Sequence, residues 1–227
     1  MYPQVLKTLI ATDCIIVGIE EGTLKLLVIK RPIPPLKDRW SLIGTFLGIE
    51  ETAHQAAHRV LYSATGLNNI YLDQLHTYTR PDRDPGGRVI SIAHFALIRI
   101  ADYHNNSSKQ VGSKWFALND LPKLIFDHDN MVNDALAKLR ERAKFNPIAF
   151  ELLSEYFTLK QLQNFYEELY QQKFDTANFR KKVLSYSFLV KTNKKVKDTS
   201  KKGSFLYRYD RKIYEELRSK EFKIRFI

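Results

Sequence analysis

Residues Gly44 to Leu67, GTFLGIEETAHQAAHRVLYSATGL, constrain the fold of this chain more than any other stretch. Ala53, Ala56, Ala57, Val60, Leu61 and Ala64 recur there near helical spacing, so residues 51 to 67 are expected to form a helix with that set on its buried or semi-buried side. His54 and His58 stand four apart on the same segment, a spacing that can bind zinc. The residues between them, Gln-Ala-Ala, lack the Glu of a zinc-protease motif, so an exposed pair is expected rather than a metal site.

The segment resembles a Nudix box with its metal-binding carboxylates removed. The family pattern runs Gly, five residues, Glu, seven residues, Arg-Glu, an aliphatic, any residue, Glu-Glu, any residue, Gly, aliphatic. Anchored on Gly66 and Leu67, it falls on Thr45, Glu51, Arg59, Val60, Leu61, Ser63 and Ala64. A Nudix hydrolase holds divalent cations against a pyrophosphate, and hard cations need carboxylate oxygens. Valine and alanine offer none, and one serine hydroxyl is a poor substitute, so the resemblance implies a helix kept for packing and no catalysis. It extends upstream over Cys14 to Gly44, with two strands, the pair Lys30-Arg31 and a Trp-x-Leu-x-Gly approach. Downstream, Thr77 to Ile98 and Trp115 to Ala143 are similar to the ADP-ribose-type branch.

At 227 residues, 44% hydrophobic and 12% aromatic, the chain can bury one large or two modest cores. The single cysteine, Cys14, excludes an intrachain disulfide and lies in the apolar run Cys14-Ile15-Ile16-Val17, where a buried strand thiol is expected. MYPQVLKTLIATD lacks a secretory leader pattern, and no stretch approaches eighteen uninterrupted apolar residues, so no membrane partner and a cytoplasmic location are expected.

Charge divides the chain. Up to Pro147 there are 18 Lys+Arg against 15 Asp+Glu; from Ile148 onward, 18 against 10. Arg180 to Lys202 carries nine basic residues against one acid, Asp198, a cluster that suits a polyanion such as DNA. Phe150, Leu152, Leu153 and Phe157 suggest a first helix. Thr158 can cap a second, Leu159 to Gln171, and Asp175 a third, Thr176 to about Tyr186. Phe188 to Thr192 and Ser204 to Tyr209 read as strands on either side of NKKVKDTSKKG, Asn193 to Gly203. Three helices and a hairpin with a lysine-loaded tip make a winged helix-turn-helix. Its third helix would enter the major groove with Thr176, Asn178, Arg180, Lys181 and Lys182 at or beside the base edges. Lys194, Lys195, Lys197, Lys201 and Lys202 would meet phosphates.

The expected architecture is an α/β (α+β) Nudix-like sandwich over residues 1–146, followed by an α+β winged helix over 147–227. That combination resembles the Nudix-related transcriptional regulators, and most closely their arabinose-responsive repressors in Bacteroidetes. The resemblance implies a homodimer on double-stranded operator DNA, a repressor of pentose-utilisation genes, and a small-molecule effector, L-arabinose or another pentose, in the Nudix-like domain. No cofactor and no metal are implied. Candidate effector contacts are Asp13, Lys30, Arg31, Trp40, Thr45, Glu51, Tyr78, Asp82, Arg83 and His94, chosen as hydroxyl partners or as an aromatic face for a sugar. His128 in FDHD is expected to order a helix start. The alternative is a Nudix hydrolase acting on ADP-ribose or a related nucleotide, with a cation site rebuilt from Glu50, Glu51, Asp82 and Asp84.

Overall fold

The computed structural model describes residues 7–20, 22–68, 70–104, 112–197 and 203–220. Within it the chain forms two compact units. One comprises residues up to Gly18 and Lys25–Lys138, the other Ile19–Leu24 and residues from Leu139 onward.

In chain order the first unit begins with β1 (Leu9–Glu20) and β2 (Thr23–Lys30), whose tip falls to the second unit. There follow β3 (Trp40–Ser41), β4 (Ile43–Phe46), α1 (Ala53–Thr65), β5 (Tyr71–Tyr78), β6 (Val89–Arg99), α2 (Ile100–His104), β7 (Ser113–Ala117) and a 3-10 turn, Leu118–Asp120. The unit boundary lies inside α3 (His128–Phe145). The sheet runs β3-β2-β1-β6-β5, with β4 added antiparallel to β1 and β7 antiparallel to β2. Cys14, Ile15, Ile16 and Val17 on β1 are all buried, as an apolar run without alternation requires of a strand covered on both faces. Burial pushes the Cys14 thiol pKa up, which keeps it protonated.

The segment read as helix 51–67 is helical from Ala53 to Thr65. Thr52 supplies the N-cap, its side chain accepting from Gln55 N while Gln55 reaches back, and Gly66 ends the helix in the left-handed conformation at φ 67°. Ala57, Val60, Leu61 and Ala64 pack with Cys14, Ile16, Leu27, Ile43 and Ala96 in one apolar cluster; Ala53 is only half-buried.

The second unit contains α4 (Ala149–Leu152), α5 (Leu159–Tyr170), α6 (Thr176–Leu184), the hairpin β8 (Leu189–Val196) and β9 (Ser204–Tyr209), and α7 (Arg211–Ser219). Thr158 caps α5 through a capping box with Gln161, and Asp175 caps α6, as expected. Three points differ from expectation. The first helix is a single turn, because Leu153 turns extended and Phe157 pairs with Tyr207 across an isolated bridge. β8 continues to Val196 across a bulge between Lys191 and Lys195, so Asn193, Lys194 and Lys195 are strand rather than loop. α7, capped by Asp210, was not anticipated; its Tyr214 packs on Phe188, which in turn meets Tyr209. Among the described residues no helix is long and apolar enough to cross a membrane.

Candidate functional site: a sensor cleft and a nucleic-acid surface

The first unit carries a cleft of about 210 Å³ between β1, β4, the loop after β2, the loop before β6 and the start of α3. Its polar floor is one network. Arg83 is buried and donates Nε and Nη2 to both oxygens of Asp127 at 3.0 and 2.8 Å, while Nη2 lies 3.5 Å from Asp13 Oδ2. Ser91 Oγ donates to the same Asp13 oxygen at 2.6 Å. His128 completes the set. Its Nδ1 accepts from Leu42 N at 3.1 Å, which leaves the proton on Nε2, 3.7 Å from Asp13 Oδ1. Burial lowers the His128 pKa, and the Asp13 charge opposes that shift without cancelling it. A residue larger than glycine has no room beside this floor: a Cβ on Gly44 would sit 2.3 Å from Asp13 Oδ1 and 2.7 Å from the Thr12 carbonyl oxygen.

The walls are apolar or cationic. Arg31 directs Nε at the carbonyls of Ile33 and Pro35, and its guanidinium carbon lies 5.2 Å from the centre of the Phe126 ring. Phe46, Ile33 and Phe126 supply hydrophobic surface, and Asp84 stands at the edge.

Of the candidate effector residues, Asp13, Arg31, Thr45 and Arg83 meet in this cleft. The other six lie elsewhere, each with a partner. Lys30 stacks over Trp40, which packs edge-on against Phe116. Glu51 binds Arg59 through both oxygens at 3.0 and 2.5 Å and accepts from Gly48 N, contacts that lower its pKa. Asp82 pairs with Arg80 in solvent. Tyr78 donates to Asp134 at 2.6 Å in a separate polar depression, where burial and then that carboxylate raise the phenol pKa. His94 is buried against Thr12. Sequence reasoning missed Ser91 and Asp127 as site residues and gave His128 only a helix-start role. It does occupy the first position of α3, but its ring also belongs to the floor. The carboxylates Glu50, Glu51, Asp82 and Asp84 are not gathered into a cation site, and no group of three metal-ligating side chains stands in metal-binding geometry among the described residues.

In the second unit Asn178, Arg180, Lys181 and Lys182 are all exposed on α6, where Phe179 and Val183 face inward. Thr176 is also exposed, yet its hydroxyl accepts from Gln163 Nε2 at 3.2 Å, so it ties α5 to α6. A groove of about 260 Å³ runs between α5, α6 and β9, lined by Lys160, Thr176, Arg180, Ser204 and Tyr207 among others; Lys160 and Ser204 carried no sequence signal. Lys194, Lys195 and Lys197 are exposed on the wing. Nζ of Lys194 is 4.6 Å from the Tyr156 ring centre, and Nζ of Lys191 and Lys195 are 3.7 and 4.4 Å from that of Phe205. Lys201 and Lys202 lie outside the described residues.

Residues 8–135 match the model of the NUDIX domain, and residues 149–209 match that of the NrtR DNA-binding winged helix domain. The ADPR responsive transcriptional repressor NtrR of Acinetobacter baylyi is 30% identical over 218 residues, covering 94% of this chain and 86% of that relative. The chain belongs to the NrtR-type NUDIX regulators. In this NrtR-type chain the architecture also superposes on the crystal structure of Shewanella oneidensis NrtR complexed with a 27mer DNA, with a TM-score of 0.81 over 95% of this chain and 97% of that one at 24% identity. Its NUDIX part is similar to an ADP-ribose pyrophosphatase of Methanocaldococcus jannaschii, 38% identical over 133 residues, 59% of this chain and 76% of the relative. Both curated relatives are named for ADP-ribose, not for a pentose as the narrower resemblance to arabinose-responsive repressors implied. Within the NrtR-type frame, Val60 and Ala64 are core residues, Ser63 is exposed, and none of the three lines the cleft.

Proposed function

We propose that this protein is a transcriptional repressor whose grip on operator DNA is set by ADP-ribose, bound but not hydrolysed in the NUDIX cleft. The observation that carries this reading is a cleft preserved while the box positions that would hold metal are Val60, Ser63 and Ala64. Arg31 on the wall suits an anionic pyrophosphate, since a guanidinium presents planar paired donors to phosphate oxygens. Phe46, Phe126 and Ile33 offer surface for adenine, and Asp84 an acceptor for ribose hydroxyls. At about 210 Å³ the cleft is below the roughly 300–1,000 Å³ of typical ligand pockets, so the ends of ADP-ribose extend beyond it. A two-fold dimer on a near-palindromic operator fits helix-turn-helix geometry.

Coupling requires that ADP-ribose bind one state of the protein better than the other. A typical coupling of about 1–3 kcal/mol weakens DNA binding roughly 5- to 150-fold, and operator DNA weakens ADP-ribose binding by the same factor. Calorimetric titration of ADP-ribose, L-arabinose and D-xylose with and without operator tests it. ADP-ribose binding that DNA weakens supports the proposal, and a response to pentose alone refutes it. A magnesium-dependent release of AMP above the no-protein control would overturn the non-catalytic half and favour the hydrolase.

A further inference from the structure

Outside the cleft, three imidazoles lie near one another, His54 and His58 on α1 and His94 on β6. His54 and His58 are exposed, with their Nε2 atoms 3.1 Å apart and their rings at 84°. Two nitrogens at about 2.0–2.1 Å from one tetrahedral zinc stand roughly 3.3 Å apart, so the pair already has the spacing of two ligands on one cation. The ring centre of His94 is 6.1 Å from that of His54.

The tautomer of His94 is fixed by its surroundings. Thr12 Oγ1 gives its one proton to the Ile92 carbonyl at 2.9 Å, and His94 Nδ1 lies 3.0 Å from that hydroxyl oxygen and 3.1 Å from the same carbonyl. Neither neighbour has a proton left to offer. The ring proton therefore sits on Nδ1, and Nε2 carries a lone pair. An Nδ1–H held by a backbone carbonyl, with Nε2 unprotonated, is the arrangement that orients metal-bound histidines. None of the three side chains lines the NUDIX cleft. As the structure stands the three imidazoles are not gathered into metal-binding geometry, and binding requires His54 and His58 to turn toward His94.

We propose that His54, His58 and His94 bind one borderline divalent transition cation of the zinc class beside α1, at a site separate from the effector cleft. Imidazole donors select zinc, nickel or copper over magnesium, so this site is chemically unlike the one the box lost. Titrating the full chain with Zn²⁺ against a chromophoric chelator, and with Co²⁺ followed by visible absorption, should give one ion per chain. His54→Ala and His58→Ala should each weaken it by more than about tenfold. Thr12→Val, which removes the hydroxyl partner of His94, should weaken it by about 10- to 100-fold. His76→Ala on β5 is the control and should leave binding unchanged, with circular dichroism establishing that each variant is folded without metal. Zinc binding that survives the His54→Ala/His58→Ala double substitution overturns the proposal, as does the absence of a saturable site. Indifference to both Thr12→Val and His94→Gln equally overturns the three-histidine assignment.

Discussion

Arg83 is the residue on which the cleft floor depends, because it lies between the carboxylates of Asp13 and Asp127. Removing one member of a buried ion pair leaves charge without compensation and costs about 3–5 kcal/mol. Arg83→Met should therefore lower the melting temperature by roughly 6–20 °C for a chain of this size, and adding Asp127→Asn should recover part of the loss in calorimetry. His128 makes a second prediction. Its folded pKa lies below the roughly 6.5 of an unfolded histidine, so as pH falls through that value the unfolded chain binds a proton that the native ring refuses. Stability is then full above about pH 6.5 and declines below it. The charges that face the ring are Asp13, Arg83, Asp127 and Arg31. In urea unfolding from pH 8 to 5, His128→Gln, which keeps an acceptor for Leu42 N, should flatten that decline. At this scale the sequence was half legible. Asp13 and Arg83 were among the polar groups offered as effector contacts, but Asp127 is 44 positions from Arg83 and only the fold joins them. Glu51 and Asp82, which lie outside the cleft, pair with Arg59 and Arg80 nearby in sequence, whereas Tyr78 is held by Asp134, 56 positions away.

Elements were more legible than residues wherever a cap and a period agreed. Thr158 before α5 and Asp175 before α6, both expected as caps, each accept from a backbone N–H three residues on; the Thr52 cap of α1 emerged only in the structure. Thr158→Ala should cost about 0.5–2 kcal/mol in unfolding experiments. The first helix misread had apolar residues but no continuation, since Phe157 was taken up by Tyr207, a partner fifty positions away in sequence. α7 went unread although Ile213, Tyr214 and Leu217 fall at helical spacing behind the Asp210 cap. The DNA-binding elements invite a paired test. Asn178→Ala or Arg180→Ala should lose about 1–3 kcal/mol on operator and relax discrimination at particular base pairs, whereas equal losses on random DNA would reduce both to phosphate contacts. Replacing Lys194, Lys195 and Lys197 together should flatten the slope of log K against log [salt] by about 0.9 for each phosphate no longer neutralised, and an unchanged slope would take the wing out of the interface.

The whole molecule carries 36 Lys+Arg against 25 Asp+Glu, a formal charge of +11, with most of the excess after Pro147. That asymmetry was visible in composition and agrees with the NrtR DNA-binding match to residues 149–209. The identity of the effector was not visible: the resemblance implied L-arabinose, whereas the curated relatives are named for ADP-ribose, and absent metal ligands do not choose between the two. Field and geometry are separable in this molecule, and the ring of Phe205 is where they part. By sitting under Lys191 and Lys195 it limits the freedom of two flexible cations before any partner arrives. Phe205→Leu leaves the net charge untouched, so the long-range attraction that governs encounter, and with it the association rate, should hold. What should change is residence time: lysines that must be ordered anew on the duplex hold it less well, and stopped-flow measurements should find the complex dissociating faster.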